Sequence, residues 1–152
     1  ACAAPEWVHR AGPQAVRRDV ASAPPGGHAA KGTGGAAGTG AAESVFAHLG
    51  VDADGEIDDG NTIDASETVL TTSGPARETL RAERVAVNLA GHASGVATKT
   101  RAAVERAAAV DTDVRIAGTR KTTPGLRGGE KRAIGAGGGG DSARPDLALI
   151  PI

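Results

Sequence analysis

Thr119-Arg120-Lys121-Thr122-Thr123-Pro124-Gly125-Leu126-Arg127 is the stretch of this 152-residue chain in which side chains with chemical capacity coincide. Two adjacent cations stand between hydroxyl residues, and a Pro-Gly pair then imposes a turn. A guanidinium meets a carboxylate or phosphate as a two-pronged donor, and an ammonium meets it as a compact point charge. A loop that carries both, stiffened by proline, suits a small polyanion. Taken alone, the same residues also make a solvated surface turn with incidental charges. The neighbouring elements decide which reading the loop deserves.

Those neighbours have the rhythm of an α/β fold. The apolar run Val114–Ala117 predicts a short strand feeding the loop, and Leu126–Ala136 predicts a helix leaving it. Leu147–Ile152 reads as a further strand. Upstream, Ala41–Leu49 carries Val45, Phe46 and Leu49 at helical spacing, with Gly50 placed to end the helix. Asp54-Gly55 and Asp59-Gly60 suggest tight turns, with strands at Thr62–Asp64 and Thr68–Thr71 along the edge of a small antiparallel sheet. Ser73-Gly74-Pro75 looks like a helix start, with Ser73 as N-cap. Leu80, Val85, Val87 and Leu89 would give that helix a broad apolar face. Gly91 and Gly95 allow a break or close packing, and Val96–Val110 continues as a second helix. Ala21–Gly40, crowded with Gly, Ala and Pro, reads as loop or weak strand, and order is expected to be weak before residue 41.

Composition narrows the function classes. Net charge is -1, so no global field favours nucleic acid or an acidic membrane. With one Trp, one Phe and no Tyr, stacking on bases is a poor mode of binding, and Ala, Val, Leu and Ile must pack the core. Marginal stability, or dependence on a partner, follows. Cys2 is the only cysteine, which excludes an internal disulfide and a cysteine-based zinc cluster. A cytoplasmic location is expected. No run approaches the roughly 20 apolar residues that cross a bilayer, and no apolar signal core opens the chain. The absence of Met suggests a processed, trimmed or partial chain.

Glu83-Arg84-Val85-Ala86-Val87-Asn88-Leu89, Ala93-Ser94-Gly95-Val96-Ala97-Thr98, the Thr119–Arg127 run, Glu130-Lys131 and Gly137-Gly138-Gly139 follow one another in order. From Ala41 to Leu147 this succession resembles the quinolinate phosphoribosyltransferase family, the carboxylating nicotinate-nucleotide pyrophosphorylases. The resemblance implies an α/β protein: an α+β sandwich domain over residues 1–88, then the start of an incomplete α/β barrel over 89–152. It implies transfer of a phosphoribosyl group from phosphoribosyl pyrophosphate to quinolinate with Mg2+, releasing pyrophosphate and carbon dioxide and forming nicotinate mononucleotide in NAD biosynthesis. It also implies a homodimer whose sites are completed across the interface. Arg84 would be lent to the neighbouring subunit, Thr119, Arg120 and Lys121 would meet the carboxylates and nearby phosphate oxygens, and Arg144 would be a further anion-binding arginine. No catalytic nucleophile is required, because departure of pyrophosphate leaves a cation-like sugar that needs positioning and charge stabilisation.

The sequence departs from the family pattern in two places. Ala143 stands where the family usually has His, and Pro151-Ile152 stands where a lysine and Asp-Asn-His are expected after the strand. Little or no transferase activity is therefore expected of this chain alone. A pyrophosphorylase-like protein linked to molybdate transport is an alternative, disfavoured by Thr123 before the proline and Leu126 after the glycine; a non-catalytic remnant or dimerisation module is another. Other signals are weak. Asp52–Ile57 alternates acidic residues, but Gly50 and Asn61 fall where a calcium loop needs ligands. The Gly137–Gly140 run lacks a P-loop ending and reads as a flexible connector. His9, His28, His48 and His92 show no metal-ligand spacing, and His92 reads as structural. Arg101–Arg106 and Arg17-Arg18 read as solvated charges.

Overall fold

The computed structural model describes residues 7–9, 26–111, 113–140 and 147–150. Cys2, Arg17-Arg18, Ala143 and Arg144 lie outside them. The elements in chain order are β1 (Trp7–His9), β2 (Gly26–Ala30), β3 (Gly34–Gly35), α1 (Thr39–His48), β4 (Asp52–Gly55), β5 (Thr62–Ile63), β6 (Thr68–Ser73), α2 (Ala76–Ala108), β7 (Arg115–Gly118), α3 (Arg127–Ala136) and β8 (Leu147–Ile150). Helix and strand mix throughout, as an α/β fold requires. Within residues 21–40, β2 and β3 supply two strands, and Ala30, Ala36 and Ala37 are buried.

The first sheet is antiparallel, in the order β1-β2-β6-β4. Strand β6 is thus interior rather than an edge. It pairs with β2 on one side and β4 on the other, and its adjacent Val69 and Leu70 point to opposite faces, both buried, each in a different apolar cluster. Strand β5 does not join it; β5 pairs with β3. Asp54-Gly55 is likewise not a turn but the end of β4, with Gly55 opposite Leu70. The Asp59-Gly60 turn forms as expected.

Helix α1 ends just before Gly50, and its Phe46 is fully buried. Helix α2 departs from expectation in three ways. It starts at Ala76 with Pro75 as N-cap, while Ser73 is the last residue of β6. It runs unbroken through Gly91 and Gly95 for 33 residues, because a helical glycine costs only about 1 kcal/mol and packing along the helix outweighs it. Its buried apolar residues are alanines rather than Leu and Val, and Glu83, Ser94 and Thr100 are buried beside them. Ala82, Ala86, Ala90, Ala93 and Ala97 recur at steps of four and three and are buried, whereas Leu80 and Val85 are each half exposed. Methyl-sized side chains let α1, the residue 36–37 segment and α3 approach the helix axis closely.

Strands β7 and β8 are parallel, with Arg115 opposite Leu147 and Gly118 opposite Ile150. Helix α3 lies between them in sequence and packs on α2 through Ala133. A strand, a crossover helix and a parallel strand form one βαβ unit.

Candidate anion-binding loop

The Thr119–Leu126 loop joins the C-terminal end of β7 to the start of α3, the end of a parallel strand where α/β folds place their ligands. Its turn is built by Pro124 and Gly125. Gly125 has φ 82°, and the Leu126 N–H donates to the Thr123 carbonyl at 3.0 Å. Positive φ at the third residue, after proline at the second, is type II turn geometry, which glycine adopts without strain.

Helix α3 holds the loop at three points. Lys131 Nζ donates to the Gly118 carbonyl at 3.3 Å, and Arg127 Nε donates to Thr122 Oγ1 at 3.3 Å. Glu130 Oε2 accepts the Thr123 N–H at 3.1 Å. Positions 127, 130 and 131 are spaced i, i+3, i+4, so they share one helix face. Within the loop, Thr119 Oγ1 accepts the Lys121 N–H at 3.3 Å. With Arg127 and Lys131 engaged in holding backbone and hydroxyl groups, Arg120 and Lys121 are the cations left over. Both are exposed, and neither side chain has a hydrogen-bond or ion-pair partner among the described residues.

Glu130 is 1% exposed. Its second oxygen, Oε1, lies 2.9 Å from Nε2 of His92 on α2. A carboxylate can only accept, so that ring nitrogen carries the proton. Burial pushes the Glu130 carboxyl pKa up, but the hydrogen bonds from Thr123 and His92, with the His92 charge, outweigh burial and leave it below the ordinary value.

The structure thus brings Thr119, Arg120 and Lys121 together on one short loop. Arg84 is exposed on α2, eight residues before His92, or roughly 12 Å along the helix. It makes no bond to the loop, and Arg144 lies outside the described residues. A small apolar cavity of about 20 Å³ lies between α1 and α2, lined by His28, Phe46 and Ala90 among others, and a 440 Å³ surface groove runs past Glu43 and Asp52. Neither borders the loop. Among the described residues no group of three or more His, Cys, Asp or Glu side chains could hold a metal ion.

Several structurally important residues carried little sequence signal. Ser94 and Thr98 serve the fold: Ser94 Oγ bridges the Ala37 N–H and carbonyl, each at 3.1 Å, and Thr98 Oγ1 accepts the Gly35 N–H at 2.9 Å. Arg101 is not a solvated charge. It donates to Thr62 Oγ1 at 3.0 Å, to the Gly60 carbonyl, and to the Ala136 carbonyl at 3.4 Å. The glycine run is not a loose connector either. A Cβ at Gly137 would sit 2.5 Å from the Ala97 carbonyl oxygen, and one at Gly139 would sit 2.7 Å from Ile134 Cγ2. Glycine is what lets this segment lie against α2 and α3.

Comparison with known proteins accounts for the arrangement. A family model described as quinolinate phosphoribosyl transferase, N-terminal domain, matches residues 27–94, and the C-terminal domain model of the same description matches residues 96–149. A probable nicotinate-nucleotide pyrophosphorylase (carboxylating) of Methanothermobacter thermautotrophicus is 48% identical over 96 residues, covering 61% of this chain and 34% of that protein. The nicotinate-nucleotide pyrophosphorylase (carboxylating) of Mycobacterium leprae is 43% identical over 83 residues, covering 55% of this chain and 28% of that protein. The crystal structure of NadC from Streptococcus pyogenes superimposes with a TM-score of 0.75 at 35% identity, over 84% of this chain and 45% of that one. The chain therefore spans about a third of the length of these curated relatives and less than half of the solved structure.

Proposed function

Because this chain belongs to the quinolinate phosphoribosyltransferase family, we propose that the protein takes part in phosphoribosyl transfer from phosphoribosyl pyrophosphate to quinolinate, with decarboxylation to nicotinate mononucleotide, in NAD biosynthesis. The observation that carries the reading is the loop after β7, where Arg120 and Lys121 are exposed and make no side-chain bond among the described residues, while α3 fixes the backbone around them. Quinolinate presents two adjacent carboxylates. Arg120 offers a forked donor to one and Lys121 a point charge to the other or to a nearby phosphate oxygen, with the Thr119 hydroxyl beside them. The pyridine nitrogen's lone pair forms the bond to the anomeric carbon as the bond to pyrophosphate breaks. The loop's part is to fix the ring in line and hold its negative charge in place. Mg2+ would come with the diphosphate oxygens of the substrate, as is usual for this ion.

In the same reading the protein works in the cytoplasm as a homodimer, Arg84 and Arg144 belong to the completed site, and residues 89–152 begin an α/β barrel that follows an α+β sandwich domain at 1–88. Half-exposed Leu80 and Val85 flank Arg84 on α2 and support a contact between copies there. The parallel β7–β8 pair with its crossover helix supports the barrel start. None of the described helices is long and apolar enough to cross a membrane.

The test is titration of the chain with labelled quinolinate. Saturable binding is expected, weakened about tenfold or more by Arg120→Ala or Lys121→Ala, since a hydrogen bond to a charged group is worth roughly 1.5–3 kcal/mol. Unfolding stability should stay within about 0.5 kcal/mol, because both side chains are exposed. No saturable binding by the unaltered chain, or preference for molybdate over quinolinate, would overturn the reading.

A further inference from the structure

We propose that His92 is a positioning residue for the quinolinate loop, acting through Glu130; the proposal rests on the reading of Thr119–Lys121 as the dicarboxylate-holding segment. The Thr123 N–H is bonded to Glu130 Oε2 at 3.1 Å, and Thr123 is the last loop residue before the Pro124-Gly125 turn. The direction of the backbone from Lys121 into that turn therefore depends on where the Glu130 carboxylate sits. Helix α3 alone leaves that carboxylate free to rotate about its terminal bond, because a Glu side chain's last torsion is broad. His92 removes this freedom. Its Nε2–H, 2.9 Å from Oε1, fixes the plane of the carboxylate from the other side.

The chain of contacts runs from α2 to His92, to Glu130, to the Thr123 amide. It crosses from the segment matched by the N-terminal domain model to the segment matched by the C-terminal one. Glu130 is buried, but the His92 side chain is 43% exposed, so losing the imidazole removes little packing. Its effect should fall on the geometry of the loop.

The test uses the full chain and two readouts: exchange of the Thr123 amide with solvent deuterium, followed by NMR, and quinolinate affinity by calorimetry. His92→Ala is expected to speed Thr123 exchange and to weaken quinolinate binding, each by about tenfold, the equivalent of one net hydrogen bond. His92→Gln, whose side-chain amide can donate to Oε1, should recover both. A purely structural histidine would lower the urea midpoint and speed exchange throughout α3, without singling out the Thr123 amide or weakening quinolinate binding. Unchanged Thr123 exchange in His92→Ala, or a loss that His92→Gln fails to recover, would overturn the proposal. Should His92→Ala not fold, His92→Asn, too short to reach Oε1, takes its place in the same comparison. If the unaltered chain binds no quinolinate, the function proposed for the loop fails, and the exchange comparison alone decides the role of His92.

Discussion

Glu130 is the residue on which the loop depends most, and its chemistry sets a pH limit. Its carboxyl pKa lies below the ordinary 4.5, because bonds from Thr123 and His92 outweigh the upward push of burial. A carboxyl depressed on folding contributes stability that is fully present above its unfolded pKa and is lost as pH falls through its folded value. The urea midpoint should therefore hold down to about pH 4.5 and drop below it, with part of the drop due to this one group. Glu130→Gln keeps an acceptor for Thr123 but cannot titrate, and should flatten that part of the acid limb. Glu130→Ala should cost about 1–3 kcal/mol at neutral pH through the unmet loop amide and the lost partner of His92. An acid limb of unchanged shape in Glu130→Gln would refute the assignment. The loop cations could be read from the sequence because residue type and turn chemistry coincide there. The role of Glu130 could be read only by half: positions 127, 130 and 131 share a helix face in any α3, but nothing local to the sequence says that α2 lies behind it. His92 gave no signal of its own, since a single histidine has no spacing to interpret.

The helices and strands that were legible are those whose signals are local. Phe46 and its neighbours at helical spacing, the apolar run before Thr119 and the Pro-Gly start of α3 identify α1, β7 and α3 to within two residues. Where the outcome depends on distant partners, the sequence misleads. Gly91 and Gly95 look like a break until α2 is seen packed against α1 and α3, and β6 looks like an edge until β2 and β4 are seen paired to its two sides. Glycines separate into two kinds on the same ground. Those at 128, 129 and 135 lie within α3 with nothing within 4 Å of a added methyl group. Gly128→Ala, Gly129→Ala and Gly135→Ala should each raise stability by about 0.5–1 kcal/mol by lowering the entropy lost on helix formation. Gly137→Ala and Gly139→Ala should destabilise, because the new Cβ would meet the Ala97 carbonyl and the Ile134 side chain. Thermal melts of the five variants check both signs, and stabilisation by Gly137→Ala would contradict the packing described for it.

Across the whole molecule, cohesion comes from close approach. Arg101 ties the Gly60–Thr62 segment to the C-terminal end of α3, and the alanine row of α2 contributes to two of the three apolar clusters among the described residues. A core with a single Phe obtains its contacts by bringing backbones together rather than by filling space with large side chains. Enlarging that row should therefore be costly. Ala86→Leu is expected to destabilise by roughly 1–3 kcal/mol through overpacking, whereas Leu80→Ala, on the exposed side of the same helix, should change monomer stability by less than about 1 kcal/mol. Chemical denaturation at low protein concentration checks the pair, and equal losses would show that the helix is oriented otherwise. Most folded proteins are vulnerable to erosion, in which a bulky residue is trimmed and leaves a hollow. Along the alanine row of this helix there is almost nothing to trim. Inherited change on that side is constrained in one direction only, toward growth, and the five alanines act as a gauge that fixes how thick the molecule can become.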